Sequence, residues 1–375
     1  MKRFFVLGVV LLTAISCGDE SDWVQDGVGT GEAGYEIING EVCGDEIAPS
    51  AVAIIADMKV SFGGWGAQEI RSVSCTGTLI ARDTVLTAAH CVDRDLLKMS
   101  MGGVGDIEEV NYYISFTSDL TAFSSNPRAV MPVDAVKASE WIGHPEFSMT
   151  RMSQVSGVGE FYDVGLIFLE RPVNWVEPAV LISKSEAGNI QVGRSVSIAG
   201  WGMQTAEGGS WGQPPPAGTV GVKVCAASSI NELGAAEIQI GSDVNSSRKC
   251  HGDSGGPSYL TIETETARKE RVIGVTSHAY DQTDCQKGGV DSRVDVWLDW
   301  INDEMERRCD AGTRVWCEVA GAVPATYYDP LPPEEEPAQE EEGCACRQSN
   351  SGASWILLGG FGFILGRRRR SAARA

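Results

Sequence analysis

From Ile37 to about Thr276 the chain repeats one pattern, a short apolar run followed by a turn signal. Ala51–Ile55, Gly77–Ile80, Thr84–Leu86, Val164–Leu169, Ser195–Ile198 and Val272–Val275 are such runs, and clusters of Gly, Pro and Asp separate them. Many short β-rich runs between turn clusters predict an all-β barrel or sandwich. One segment departs from the pattern. Val294, Trp297, Leu298, Ile301 and Met305 recur at helical spacing, while Asp295, Asp299, Asn302 and Glu306 fall elsewhere on the wheel, so a helix is predicted there. No internal repeat is present.

Composition removes one class of function. The 375 residues carry 30 basic and 51 acidic side chains, a net charge of −21. Nucleic-acid binding needs basic patches and is excluded as an expectation. The acidity is uneven: residues 332–342, PPEEEPAQEEE, offer almost nothing to bury, and 322–343 reads as an extended stalk stiffened by Pro and repelling Glu. The 11 cysteines do not form the C-x-x-C pairs of zinc ribbons. Their wide spacing, behind an export signal, points to disulfides in an oxidising compartment, and the odd count gives at least one another fate.

Both ends read as targeting segments. Lys2 and Arg3 precede an apolar run from Phe4 to Ile15, the arrangement of a secretory signal. Thr13-Ala14-Ile15-Ser16-Cys17 resembles a bacterial lipobox, with Ala14 where that motif usually has Leu. Acylation at Cys17 and simple cleavage nearby both remain open. Residues 18–36 lack periodicity and read as a disordered pro-segment. At the other end stand Cys344, Cys346, a polar spacer, the apolar stretch Trp355 to Gly366, and Arg367 to Arg370. The stretch is short for a full span of about 20 residues, and the Arg cluster belongs on the cytoplasmic side. The combination resembles the myxobacterial C-terminal sorting signal (MYXO-CTERM), which implies processing near Cys344 and surface attachment. An ordinary membrane anchor is the alternative.

Three motifs carry chemistry, in the order His, Asp, Ser: Leu86-Thr87-Ala88-Ala89-His90-Cys91, Tyr162-Asp163-Val164-Gly165-Leu166-Ile167, and Gly252-Asp253-Ser254-Gly255-Gly256-Pro257. A Ser hydroxyl is a weak nucleophile and needs a base within reach. Imidazole titrates near neutrality, so it can take that proton and return it to a leaving amine. A buried carboxylate fixes the imidazole tautomer and stabilises the imidazolium. Backbone N–H groups of Gly252 and Ser254 can stabilise an oxyanion by about 3 kcal/mol per donor. Each motif alone has a bland reading: a buried histidine, a turn aspartate, a Gly-rich loop. Their joint occurrence in this order does not.

Over roughly 37–308 the chain resembles the chymotrypsin/trypsin family of serine proteases. The resemblance implies two six-stranded antiparallel β-barrels with the triad His90, Asp163 and Ser254 in the cleft between them, a C-terminal α-helix, and peptide hydrolysis through an acyl-enzyme on protein or peptide substrates. No metal or organic cofactor is implied. Ile37-Ile38-Asn39-Gly40 looks like the family's mature N-terminus. The resemblance then makes Ile37 and Asp253 an activation switch, in which a freed amino group pairs with the carboxylate. It also suggests the disulfides Cys75–Cys91, Cys250–Cys285 and Cys43–Cys225. Cys309 and Cys317 are left to close a small loop, within a Cys-closed extension at 309–321, and Cys17 and Cys344 are left to lipidation or sorting.

The chain departs from that family at its expected specificity pocket. Arg248 stands six positions before Ser254, where trypsin-type enzymes carry Asp. Ser277-His278-Ala279 replaces a Ser-Trp-Gly wall, and Asp291, two after Gly289, replaces a common aromatic. If Arg248 points into the pocket, a substrate Glu or Asp is favoured before the scissile bond. Glu36, just before Ile37, then allows self-activation. If Arg248 pairs with Asp291, the charge is cancelled and small or neutral residues are accepted. A non-catalytic binding module on the same fold is the second functional hypothesis. An esterase is the third, disfavoured because the nucleophile motif is not a strand–turn–helix elbow.

Overall fold

Past Ile37 the chain makes a two-residue strand, β1 (Glu41–Val42), and then the long strand β2 (Ala51–Ser61). The first six residues of β2 are all buried, because it pairs on one side with β3 (Ala67–Ala81) and on the other with β5 (Asp106–Ser115). With β4 (Thr84–Thr87), β6 (Val136–Gly143) and β7 (Gly165–Leu169) these close a barrel in the order β2-β3-β4-β7-β6-β5. Closure leaves no exposed edge. Side chains such as Ile54, Leu79, Leu86, Ile114 and Leu166 fill the interior. This computed structural model describes residues 37–317 apart from 64–65, 101–102, 104, 203–219, 264–267 and 282–283. The expected signal peptide, pro-segment, stalk and sorting signal, with Cys17, Glu36 and Cys344, lie outside the described residues.

The second barrel uses β8 (Ser195–Gly200), β9 (Val224–Leu233), β10 (Glu237–Ile240), β11 (Pro257–Glu263), β12 (Arg268–Asp281) and β13 (Asp284–Arg293). Its order is β9-β10-β13-β12-β11-β8, closed by the antiparallel pairing of β8 with β9. β1 adds to the outside of β9, with Glu41 opposite Cys225, and the Cys43–Cys225 disulfide staples that junction. The fold is therefore mostly β, two six-stranded antiparallel barrels with a C-terminal helix.

That helix runs Val294–Asp310 and buries Val294, Trp297, Ile301 and Met305, the apolar face expected from the spacing. It is longer than the sequence pattern suggests, so Cys309 lies in its last turn rather than after it. Gly312 then turns the chain at φ +69°, the Cys309–Cys317 disulfide closes the loop, and Arg314 folds back onto Asp83 in a buried ion pair of 2.6 Å. Among the described residues no helix is long and apolar enough to cross a membrane.

Candidate active site

His90 sits on a short 3-10 turn, Ala89–Val92, at the end of β4. Asp163 lies two residues before β7, which pairs with β4. The two side chains meet: Asp163 Oδ2 is 2.7 Å from His90 Nδ1, and Oδ1 accepts the His90 backbone N–H at 3.0 Å. Ser277 Oγ donates a third bond to Oδ2 at 2.6 Å. Asp163 is fully buried. Burial alone would push its carboxyl up, but the His90 ring and the bonds from His90 and Ser277 outweigh it and hold the pKa below the usual carboxylate range. Tyr162, the residue before it, has φ +58°, a left-handed conformation rare for an aromatic residue. Its ring is held against His144 and Trp297 at centroid distances of 5.0 and 4.9 Å, so packing with the C-terminal helix sustains the turn that presents Asp163.

Ser254 is carried by the loop between β10 and β11. Its carbonyl accepts the Thr76 N–H at 2.9 Å, which fixes the loop against the first barrel beside the Cys75–Cys91 disulfide. Gly255 permits this approach: at φ +80°, a Cβ there would lie 2.0 Å from Thr87 Oγ1 and 2.3 Å from the Thr76 carbonyl. Gly252 takes φ +94°, which leaves the N–H groups of Gly252 and Ser254 without an acceptor among the described residues. Asp253 between them points inward and is fully buried. Its two oxygens accept N–H bonds from Gly202 and Cys250, each 2.9 Å. Burial nevertheless pushes its pKa up to about 6. Ile37 is also fully buried, and Ile38 exchanges two backbone bonds with Arg248, 2.9 and 3.0 Å.

The residues expected to line the pocket are brought onto adjacent strands, with Ala279 of β12 opposite Gly289 of β13 and Thr276 opposite Asp291. The Cys250–Cys285 disulfide joins the Ser254 loop to β13. Arg248 is buried, its Nε donating to the Cys285 carbonyl at 2.7 Å and Nη1 to the carbonyls of Asp243 and Ser246 at 2.8 and 3.0 Å. The considered Arg248–Asp291 pair gives way to a different one. Asp291 Oδ2 takes the ammonium of Lys249 at 2.8 Å and the hydroxyl of Ser258 at 2.6 Å, all fully buried. Burial draws the Lys249 pKa down, opposed by Asp291. Sequence reasoning missed Lys249, because nothing in local periodicity shows which way a residue beside a disulfide cysteine will point. His90 with Cys75 and Cys91, and His251 with Cys250 and Cys285, lie close enough to suggest metal sites. All four cysteines are in disulfides and offer no thiolate.

The family model described as Trypsin matches residues 42–301 of this chain. Trypsin of Phaedon cochleariae is 28% identical over 239 residues, covering 62% of this chain and 79% of the relative. Trypsin of Saccharopolyspora erythraea is 27% identical over 234 residues, covering 62% and 86%. Chymotrypsin-like elastase family member 1 of Felis catus is 26% identical over 314 residues, covering 81% and 98%.

Proposed function

Because this chain belongs to the trypsin family of serine proteases, we propose that it is an exported serine endopeptidase, made as a zymogen and activated by cleavage before Ile37. The observation that carries the reading is the hydrogen-bonded set of His90, Asp163 and Ser277 in a buried, carboxylate-stabilising site. In the proposed reaction Ser254 Oγ attacks the peptide carbonyl while His90 Nε2 takes its proton. Asp163 holds the ring with Nδ1 protonated and stabilises the imidazolium. The Gly252 and Ser254 N–H groups receive the oxyanion. His90 then protonates the leaving amine, and water releases the acyl group by the same steps in reverse.

Activation is supported by Asp253. A carboxyl buried with only backbone donors and a pKa near 6 is a receptor for a cation, and cleavage before the buried Ile37 would create one as an α-ammonium. The acidic preference before the scissile bond rests on Arg248. Asp291 is paired with Lys249, so that carboxylate does not neutralise Arg248. The buried Arg248 guanidinium donates to the main-chain carbonyls of Cys285, Asp243 and Ser246, and would have to act on a substrate carboxylate through its positive charge from behind that main chain. Attachment to the cell surface rests on Cys17 and on Cys344 to Arg370 in the sequence.

The test is labelling of the activated protein by a fluorophosphonate probe. Labelling of the wild type that Ser254→Ala abolishes is expected, and labelling that survives the substitution refutes the assignment. With matched peptides, cleavage after Glu or Asp should exceed cleavage after Lys or Leu, and Arg248→Ala should erase the difference.

A further inference from the structure

β12 leaves its partner β11 at Val275, opposite Pro257. Beyond that point His278 and Ala279 pair only with β13 among the described strands. Ser277 lies in the bulge between Thr276 and His278, and its hydroxyl bonds Asp163, so a strand edge without a strand partner runs beside the candidate catalytic carboxylate. An extended substrate backbone can pair with such an edge. The segment 153–162, which leads into Asp163, folds down beside it. The Gly157 N–H bonds the Tyr280 carbonyl at 2.9 Å, and the Phe161 ring meets His278 edge-on with centroids 5.5 Å apart.

Beneath both lies Glu237 of β10, 1% exposed. Its Oε2 accepts the Gly159 N–H at 2.6 Å and lies 3.5 Å from His278 Nε2. Its Oε1 has no hydrogen-bond partner. His278 Nδ1 is 2.9 Å from the Ala279 carbonyl. Both ring nitrogens therefore face oxygens. His278 Nε2, like Glu237 Oε1, makes no hydrogen bond, so the contact is an ion pair by charge and distance. A doubly protonated ring donates to the Ala279 carbonyl and sets a positive charge beside the carboxylate, while a neutral ring sets a lone pair against one of the two oxygens. A buried carboxylate without that cation would be strongly disfavoured.

We propose that Glu237 and His278 form a buried ion pair that fixes the acyl-side wall of the cleft, making Glu237 a specificity-determining residue for the substrate residues N-terminal to the scissile bond. The inference rests on the endopeptidase reading. Glu237 touches neither Ser254 nor His90 and acts by holding the 157–161 segment and His278 in register. The charged groups acting on His278 are Glu237 from β10 and Asp163 from the segment before β7. Glu232 of β9 takes the hydroxyl of Tyr280, two residues on. Burial lowers the His278 pKa, but the Glu237 carboxylate, the Ala279 carbonyl and Asp163 together hold it above the usual imidazole range. Since the folded pKa is raised, the imidazolium side of the pair is present below the ordinary imidazole range and is lost as pH rises through the raised pKa.

The experiment compares two substrates with the same residue before the scissile bond, a single-residue ester and a tetrapeptide anilide, using the activated full chain. Glu237→Gln should raise KM for the tetrapeptide about tenfold, equivalent to about 1.4 kcal/mol, with kcat within about twofold. Ester turnover and the fluorophosphonate labelling rate should not change. His278→Phe keeps an aromatic ring against Phe161 and should remove the alkaline rise in tetrapeptide KM. Equal losses on both substrates would show a merely structural pair and overturn the inference, as would an unchanged tetrapeptide KM or an alkaline rise that persists in His278→Phe. Wild-type protein that does not label with the probe would instead overturn the endopeptidase reading and, with it, this one.

Discussion

The two barrels touch where Thr76 bonds the Ser254 carbonyl and Ser277 bonds Asp163, and they hold their candidate site residues by different means. The first barrel presents His90 and Asp163 from the ends of paired strands, with one buried carboxylate held by short bonds from His90 and Ser277. The second barrel places Arg248, Lys249, Asp253, Asp291, Glu237 and His278 within or against the Ser254 loop and its neighbouring strands, all buried or nearly so. Buried charges are stable only as satisfied sets. The first half of the site should therefore respond to substitution in chemistry, and the second half in stability, pH dependence and maturation.

The largest effect expected from this contrast is on the first barrel. Asp163→Asn keeps the shape of the His90 contact but favours the wrong tautomer, so kcat should fall about 10⁴-fold while the melting curve stays close to wild type. Steady-state rates beside circular dichroism melts would check this, and a collapse of the fold would place Asp163 among structural charges like those of the second barrel.

In the second barrel the reverse is expected. Lys249→Met leaves Asp291 buried without its cation and should destabilise by about 3–5 kcal/mol. The double change Lys249→Met with Asp291→Leu should recover much of that loss. Chemical denaturation of wild type, Lys249→Met, Asp291→Leu and the double variant measures the coupling, and a Lys249→Met variant as stable as wild type would mean that the ion pair contributes no net stability.

A somewhat smaller, pH-dependent effect separates the uncleaved and cleaved chains. In the uncleaved chain Asp253 has a pKa raised to about 6. The folded state then binds a proton more tightly than the unfolded state, so stability is present at low pH and is lost as pH rises from about 4 to 6. The shift corresponds to about 3 kcal/mol. After cleavage before Ile37 an α-ammonium would favour the ionised form and reverse this slope. Melting temperatures of Ser254→Ala protein before and after cleavage, across pH 4–7, should diverge as pH increases, and parallel curves would count against the pairing.

Legibility in the sequence followed the kind of force at work. The apolar runs Ala51–Ile55, Thr84–Leu86 and Ser195–Ile198 lie within β2, β4 and β8, because burial leaves a mark that survives in one dimension: a continuous apolar run where every residue is buried, as in the first two, and alternation where one face is, as in the third. β13 hid itself. Its residues, DCQKGGVDSR, contain little apolar surface, and the strand is held by its neighbours β10 and β12 rather than by propensity. The helix face was legible from its apolar spacing up to Met305, and the last turn to Asp310, which adds no apolar residue to that face but Cys309, is ended by Gly312.

The sequence alone determined the order and spacing of His90, Asp163 and Ser254 and, through the resemblance those motifs carry, the family and the two-barrel class, whereas periodicity and turn chemistry by themselves reached only an all-β barrel or sandwich. The tertiary structure alone decided which ionisable groups became partners. Lys249 rather than Arg248 meets Asp291, Arg248 donates to main-chain carbonyls, Glu237 reaches His278 across β10 and β12, and Arg314 returns to Asp83. The reason is physical: desolvation makes a buried charge adopt whichever opposite charge or hydrogen-bonding group the packed strands bring within about 3–4 Å, and that distance is a property of strand register and barrel closure, not of position along the chain.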